Sequence, residues 1–185
     1  MRASVDRVLD ELARRGSWFG GGSAAALAAA LSAALQEKLI SQPPRVRMLR
    51  AIRRSCANAI EQDAAAFATV VAALRRSDRR AFARALKTAT DIPSRIARHA
   101  RWLQTNSRTA RRQVKRPFHS DLVCAEALAQ AARTASLAFI ETNLAWLGEP
   151  AYARRVRRQL SQHATAPARR RGAPPPAGVA RWRGR

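Results

Sequence analysis

The sequence predicts an all-α protein that folds as a single-domain helical bundle. Apolar residues recur every three or four positions in successive segments, and no segment alternates apolar and polar residues as a half-buried strand would. Aromatic residues make up only 5% of the chain, so Ala, Leu, Ile and Val must fill the core. A length of 185 residues suits one domain with a sizeable core.

The first predicted helix covers residues 4–14. Ser4 is a suitable N-cap, and Gly16 ends the helix. The apolar side chains of this helix repeat at helical spacing, at Val5, Val8, Leu9 and Leu12.

The second predicted helix runs from Ser23 to about Ile40 and has almost no side-chain bulk. Ser23 stands where an N-cap should be. Because a run of alanines lets neighbouring backbones approach closely, we expect this helix at the centre of the bundle.

Three glycines, Gly20, Gly21 and Gly22, precede that helix and permit two interpretations. The first is a tight turn into the helix, since glycine adopts backbone angles closed to other residues. The second is a binding site, because the free N–H groups at a helix N-terminus attract an anion or a polar ring edge.

A long helix is predicted from about Arg45 to Leu74, after Pro43-Pro44 breaks the chain. Its apolar side chains form one stripe, which consists of Ile52, Cys56, Ile60, Phe67, Val70, Val71 and Leu74. Asp63 lies about 20° around the helix from Ile52, in the middle of this stripe. Such a carboxylate is either a structural group held by an arginine or a helix terminus, or a functional acid.

Two further helices are predicted over residues 78–88 and 91–105, with Ser77 as the cap of the first and Pro93 near the start of the second. Residues 106–118 are basic and have little apolar periodicity. We predict a loop or frayed helix there, and it is the best single candidate for contacting a polyanion.

The last long helix is predicted from Ser120 or Asp121 to Leu147, followed by a short helix over residues 151–162. Asp121 and Asn143 share the apolar line of the long helix. Asp121 also suits a simpler role, since an acid near a helix N-terminus complements the helix dipole.

The chain divides by composition into a helical domain, residues 1–162, and a tail, residues 163–185. The tail is rich in Pro and Arg and has no acid and little to bury, so we predict that it is disordered. The net charge of +23 indicates either solvated arginine-rich helix faces with a GC-rich codon composition, or a nucleic-acid partner. We favour the first, because the arginines occur in every segment and few aromatic residues are interleaved for base stacking.

Several function classes find no support in the sequence. It has no Walker A motif, no His–Cys metal cluster and no Ser–His–Asp arrangement, and no run of roughly 20 apolar residues that could cross a bilayer. Cys56 and Cys124 have neither metal-ligand spacing nor a disulfide framework. We interpret them as reduced, mostly buried thiols of a cytoplasmic protein.

Five motifs in order resemble the cyclodeaminase/cyclohydrolase family, which includes formiminotransferase-cyclodeaminase and bacterial methenyltetrahydrofolate cyclohydrolases. The similarity extends from about Val5 to Gln159. The motifs are the glycine triplet with Ser23, the Asp63-Ala-Ala-Ala-Phe run, Ile92-Pro93, Ser120-Asp121-Leu122 and Thr142-Asn143-Leu144.

The resemblance implies a dimeric, metal-free, all-helical enzyme that acts on one-carbon groups of tetrahydrofolate. It implies that Asp63 is the catalytic acid or base, and that the tetrahydrofolate derivative is the substrate with no separate cofactor. The substrate-binding residues that it implies are Gly20, Gly21, Gly22, Ser23, Ser120, Asp121 and Asn143. Methenyltetrahydrofolate cyclohydrolase is preferred over formiminotetrahydrofolate cyclodeaminase, because no transferase domain accompanies the chain.

The sequence also differs from the family pattern. Phe19 stands where the family usually has proline before the triplet, Phe139 replaces an asparagine, and the loops at 41–44 and 114–118 differ. The alternative hypothesis is therefore a member that has lost activity and serves as a basic nucleic-acid-binding or scaffolding protein.

Overall fold

Six α-helices form the protein in the computed structural model, which describes residues 4–165 and the side chains of residues 4–162. They are α1 (Val5–Ala13), α2 (Gly21–Leu39), α3 (Pro43–Arg75), α4 (Arg79–Ala110), α5 (His119–Leu147) and α6 (Pro150–Thr165), with a 3-10 helix at Arg116–Phe118. No strand occurs within the described range, so the predicted all-α class is confirmed. Helix α6 includes the first three residues of the tail predicted from residue 163, and residues 166–185 lie outside the described range.

The small-sided helix α2 is the centre of the bundle and packs against α3, α4 and α5. Ala26, Ala29 and Ala33 have no exposed surface. Helices α2 and α5 run antiparallel, and the Ser32 hydroxyl donates a 2.7 Å hydrogen bond to the Ala125 carbonyl. The start of α2 therefore lies beside the C-terminal half of α5.

The N-terminus of α2 differs from the sequence prediction. The N-cap is Gly20, not Ser23, and both Gly21 and Gly22 lie within the first turn. Ser23 is fully buried, and its hydroxyl donates a 2.8 Å hydrogen bond to the Ile60 carbonyl of α3. The helix extends into the glycines because they let it pack closely against its neighbours.

One continuous helix, α4, replaces the two helices predicted over residues 78–88 and 91–105. Pro93 lies inside it and has no N–H for the carbonyl of Ala89, four residues earlier. The side-chain amide of Asn143 on α5 donates a 3.2 Å hydrogen bond to that carbonyl instead. This replacement of the lost bond accounts for the continuity of α4 through a proline.

The basic stretch 106–118 is only partly a loop. Helix α4 continues to Ala110, and Asn106 and Ser107 are buried within it. Turns and the 3-10 helix then lead to α5, and the basic residues Arg111, Arg112, Lys115 and Arg116 are exposed there.

Helix α6 packs on the bundle through one apolar side. Tyr152 and Val156 are buried in a small cluster with Ala97, Ile140 and Leu144 from α4 and α5. The remaining sides of α6 face outward with their arginines exposed. None of the helices in the described part of the chain is both long and apolar enough to cross a membrane.

Candidate functional site

A pocket of about 260 Å³ opens where the N-terminus of α2 meets α3, α4 and α5. Its lining combines backbone, aromatic rings and a few polar groups. The lining residues are Ser17, Trp18, Phe19, Gly20, Gly21, Gly22, Asp63, Phe67, Val70, Ala89, Pro93, Phe139, Thr142, Asn143 and Trp146.

Asp63 is the acid of this pocket and lies against the first turn of α2. A Cβ atom at Gly22 would stand 2.5 Å from the Asp63 carboxyl carbon, closer than side chains approach one another. Only a glycine at this position therefore allows the carboxyl group to reach the helix start.

The surroundings of Asp63 act on its charge in opposite directions. Burial raises the pKa of the Asp63 carboxyl, and the Ser23 hydroxyl and backbone N–H lower it, with burial the larger effect. The hydroxyl has one hydrogen and donates it to the Ile60 carbonyl, so the N–H is the steadier donor. Asp63 is thus a carboxyl group with a pKa above its ordinary range, next to free helix N–H groups.

Aromatic rings from three segments form the walls of the pocket. Trp18 and Phe67 meet edge to face with ring centroids 6.1 Å apart. Phe139 and Trp146 of α5 contribute two further rings, which are 36% and 53% exposed. Large aromatic rings that remain exposed around a pocket suit the binding of a flat, partly apolar ligand.

Phe139 is packed directly against the glycine triplet. A Cβ atom at Gly21 would lie 2.5 Å from the Phe139 Cζ atom, so a residue with a side chain would displace the ring. No atom lies within 4 Å of a Cβ at Gly20. The second and third glycines are therefore needed for close packing, and the first is not.

Five predicted site residues line this one pocket, namely Gly20, Gly21, Gly22, Asp63 and Asn143. Ser23 lies directly beneath them, buried beside Asp63. Asn143 supports the wall that Pro93 and Ala89 form, because its amide group donates to the Ala89 carbonyl.

Ser120 and Asp121 lie at the opposite end of α2. The Asp121 carboxylate forms a 3.5 Å ion pair with Lys38 in the last turn of α2. At 1.5 Å per residue, the 16 steps from Gly22 to Lys38 correspond to about 24 Å. The fold does not bring Ser120 or Asp121 into this pocket, and a role for them in substrate binding stays a prediction.

The aromatic walls were the part of the site that sequence reasoning missed. Phe139 and Trp146 share the line of Asn143 on α5, and Phe67 follows Asp63 by one turn in the apolar stripe of α3, a pattern that equally predicts core residues. A polar residue in each stripe was the available signal that the stripe faces a pocket.

Other reactive side chains give no competing site. Among residues 4–162, no group of three or more His, Cys, Asp or Glu side chains could hold a metal ion. His99 is hydrogen-bonded to the Ser55 hydroxyl, and burial lowers its pKa to about 4. Burial raises the pKa of the Cys56 thiol to about 12, whereas Cys124 is exposed, contrary to the prediction that both thiols are mostly buried.

The comparisons with known proteins agree with this architecture. Residues 45–162, more than half of the chain, match the family described as formiminotransferase-cyclodeaminase. The crystal structure of formiminotetrahydrofolate cyclodeaminase from Thermotoga maritima is similar with a TM-score of 0.80 and 20% identity, over 88% of this chain and 89% of that chain. No curated protein sequence matches the chain.

The family match includes Asp63 and Asn143, and the glycine triplet precedes it. At 20% identity, the structural likeness establishes a shared fold, and this fold extends over most of the chain. The chain belongs to the formiminotransferase-cyclodeaminase family.

Proposed function

We propose that the protein is an enzyme of folate one-carbon metabolism and that Asp63 is its general acid or base. The observation that carries this proposal is the position of the Asp63 carboxyl in an aromatic pocket, directly against the start of α2. A family that contains cyclodeaminases, and a structural neighbour named as one, support folate derivatives as the substrate class.

The pocket suits the chemistry of a methenyl bridge between two nitrogens of tetrahydrofolate. That bridge is a planar cation, which aromatic faces and an ionised carboxylate both stabilise. The carboxylate of Asp63 would take a proton from water as it attacks the bridge carbon, and the acid would return a proton to the departing nitrogen. No separate cofactor takes part in this proposal.

Two reactions belong to this proposal, that of methenyltetrahydrofolate cyclohydrolase and that of formiminotetrahydrofolate cyclodeaminase. The first reaction consumes the methenyl bridge by adding water, and the second forms it with release of ammonia. The methenyl chromophore therefore falls in one reaction and rises in the other, so one absorbance measurement distinguishes them.

Asp63→Asn is expected to lower turnover by about 10²- to 10⁴-fold, the usual contribution of a general acid or base. Purified wild-type protein should accelerate either the loss of methenyltetrahydrofolate or its formation from formiminotetrahydrofolate. Asp91→Asn, a change of an exposed acid on the opposite side of α4, is the matched control and should keep turnover.

Two results would contradict the proposal. A wild-type protein that accelerates neither reaction and binds no folate would favour the alternative hypothesis of a member without activity. Full turnover by a folded Asp63→Asn variant would leave the family assignment intact and would remove Asp63 from the chemistry.

A further inference from the structure

Helix α6 carries positive charge on every side that does not pack on the bundle. Its arginines are all exposed, at positions Arg154, Arg155, Arg157 and Arg158. From Pro150 to Arg185 the sequence has ten arginines and no acid. The positive charge is thus concentrated in this part of the chain.

Two grooves run along the two sides of α6, and arginines line both. The groove between α6, α4 and α5 has a volume of about 350 Å³ and includes Arg98, Arg101, Arg133 and Arg157. The groove between α6 and the other side of α4 has a volume of about 520 Å³ and includes Arg95, Arg98 and Arg155. We call these two grooves the arginine grooves. Their charged residues are these six arginines together with Arg154 and Arg158 on α6.

The acids in the grooves leave most of this charge uncompensated. Glu141 and Asp91 are the two acids that line them. Arg157 engages Glu141 with two nitrogens, which also lowers the pKa of that carboxyl. Within residues 4–162, no acid forms an ion pair with Arg98, Arg133, Arg154 or Arg158.

We propose that the arginine grooves bind the sugar-phosphate backbone of a nucleic acid without reading its sequence. A guanidinium group presents a planar fork of donors that matches a phosphate, and several such groups along one helix match a repeating polyanion. Tyr152 lines one groove, but it is 9% exposed and the Arg155 guanidinium lies over its ring. The exposed aromatic side chains of the described residues lie at the pocket that contains Asp63 or at Phe118, so the grooves offer no exposed ring for stacking on bases.

The grooves are less suited to a membrane surface. A helix that lies on a membrane inserts an apolar face, but the apolar side of α6 is already buried in the bundle through Tyr152 and Val156. The groove that includes Arg95 and Arg155 also lies on a different side of α4 from the pocket that contains Asp63. Ala89 and Pro93 line that pocket, whereas Asp91, Ser94 and Arg95 line a groove.

The test measures the anisotropy of a fluorescein-labelled duplex of about 20 base pairs as full-length protein is added over a range of salt. The groove variant combines Arg98→Gln, Arg133→Gln, Arg154→Gln and Arg158→Gln. The control variant removes the same charge at the α3–α4 turn, with Arg75→Gln, Arg76→Gln, Arg79→Gln and Arg80→Gln, all of which are exposed. Circular dichroism confirms that both variants keep the helical fold.

We expect wild-type binding to weaken steeply with salt. The groove variant should bind at least about tenfold more weakly, and its slope of log affinity against log salt should be shallower by roughly 3 to 4. The control variant should bind within about twofold of wild type, because charges beyond the Debye length are screened. Asp63→Asn should bind like wild type, so failure here and failure of the proposed enzyme activity are distinguishable.

Four results would overturn the proposal. They are the absence of wild-type binding, equal losses in the groove and control variants, equal competition by a hexaglutamate peptide, and stronger binding to phosphatidylserine vesicles than to the duplex. A second full-length variant tests whether the C-terminal segment is the binding site instead. It changes six arginines to Gln, namely Arg169, Arg170, Arg171, Arg181, Arg183 and Arg185. If this variant loses all binding while the groove variant keeps it, the C-terminal segment is the site and the arginine grooves are not.

Discussion

At the scale of single residues, Gly22 determines where the Asp63 carboxyl group can lie in the pocket. The missing Cβ atom lets the Asp63 carboxyl lie against the first turn of α2, where the Ser23 N–H contributes to its pKa. The requirement for glycine is steric here, since the backbone of Gly22 is helical.

Gly22→Ala is expected to displace the Asp63 side chain and lower turnover by about 10²-fold or more, the scale at which misplaced catalytic groups act. Ala34→Ser is the control, because it also adds one heavy atom to a residue of α2 but lies outside the pocket. Steady-state kinetics and thermal unfolding of the two variants provide the comparison. Equal activity in both variants would show that the close approach of Asp63 to α2 has no role in turnover.

The raised pKa of Asp63 predicts how activity and stability depend on pH. If the ionised carboxylate is the base, turnover rises as pH increases through a pKa above the ordinary aspartate value. The folded protein binds the Asp63 proton more tightly than the unfolded chain. The resulting stabilisation is therefore present below the unfolded pKa and is lost as pH rises through the folded pKa.

Asp63→Asn removes this dependence. We therefore expect the free energy of unfolding of the wild type to fall relative to that of Asp63→Asn as pH rises through the folded pKa, in denaturant titrations at several pH values. A wild type that gains stability relative to the variant over this range would show that the folded environment favours the ionised form.

Much of the residue-scale site was predictable because a polar residue inside an apolar helical stripe is unusual. Asp63 and Asn143 both gave that signal. The polar residues indicate which helix sides face a pocket, but not that Trp18, Phe67 and Phe139 meet in the same one, because these rings come from segments far apart in the sequence. Only packing of the helices brings them to one pocket.

At the scale of secondary-structure elements, α4 depends on a bond from another helix. Pro93 leaves the Ala89 carbonyl without its helical donor, and Asn143 of α5 supplies one at 3.2 Å. A carbonyl left without a donor inside a bundle costs about 1 to 3 kcal/mol. The same bond holds in place the pocket wall that Ala89 and Pro93 form.

Asn143→Ala is therefore expected to lower the free energy of unfolding by about 1 to 3 kcal/mol. In a Pro93→Ala background, residue 93 has an N–H for the Ala89 carbonyl, so the same asparagine change should cost clearly less. A double-mutant cycle in chemical denaturant measures this difference. Additive effects of the two changes would mean that the Asn143 bond does not compensate for Pro93.

The sequence predicted most helices to within a few residues and failed at α4 for this reason. Asp91 followed by Pro93 is a local pattern typical of a helix start. The donor that keeps the helix continuous is 54 residues from Ala89 in the sequence, and no local pattern contains it. At the α2 start, the error arose from taking Ser23 as a surface cap, whereas it is buried between two helices.

At the scale of the whole molecule, one face lacks charge although the chain has a net charge of +23. The face combines exposed or half-exposed residues of α2 and α5, which lie side by side. It consists of Ala24, Ala28, Leu31 and Leu35 with Cys124, Leu128, Ala131 and Ala135. We expect the homodimer implied by the family resemblance to form here, because two copies repel each other least where they carry no charge.

Leu31→Lys is expected to convert the dimer to monomer. Each copy then carries one positive charge in the uncharged face, and dimer formation would bring two like charges together. Leu31 is 45% exposed, and Leu74 is a comparably exposed leucine (57%) on α3, outside this face. Leu74→Lys is therefore the control and should leave the mass unchanged. Sedimentation equilibrium measures the mass, and a wild-type monomer at all concentrations would contradict the expectation.

The two sides of α4 contribute to two different surfaces of the protein, so each surface can vary separately during evolution. Residues that line the pocket of Asp63 and residues that line a groove alternate along this helix, at Ala89 and Pro93 on one side and at Asp91, Ser94 and Arg95 on the other. We expect substitutions on one side to leave the side chains on the other side in place, so selection can act on the two sides separately. A lineage can then change the lining of the pocket while it retains the charged surface, or the reverse, without a change of fold.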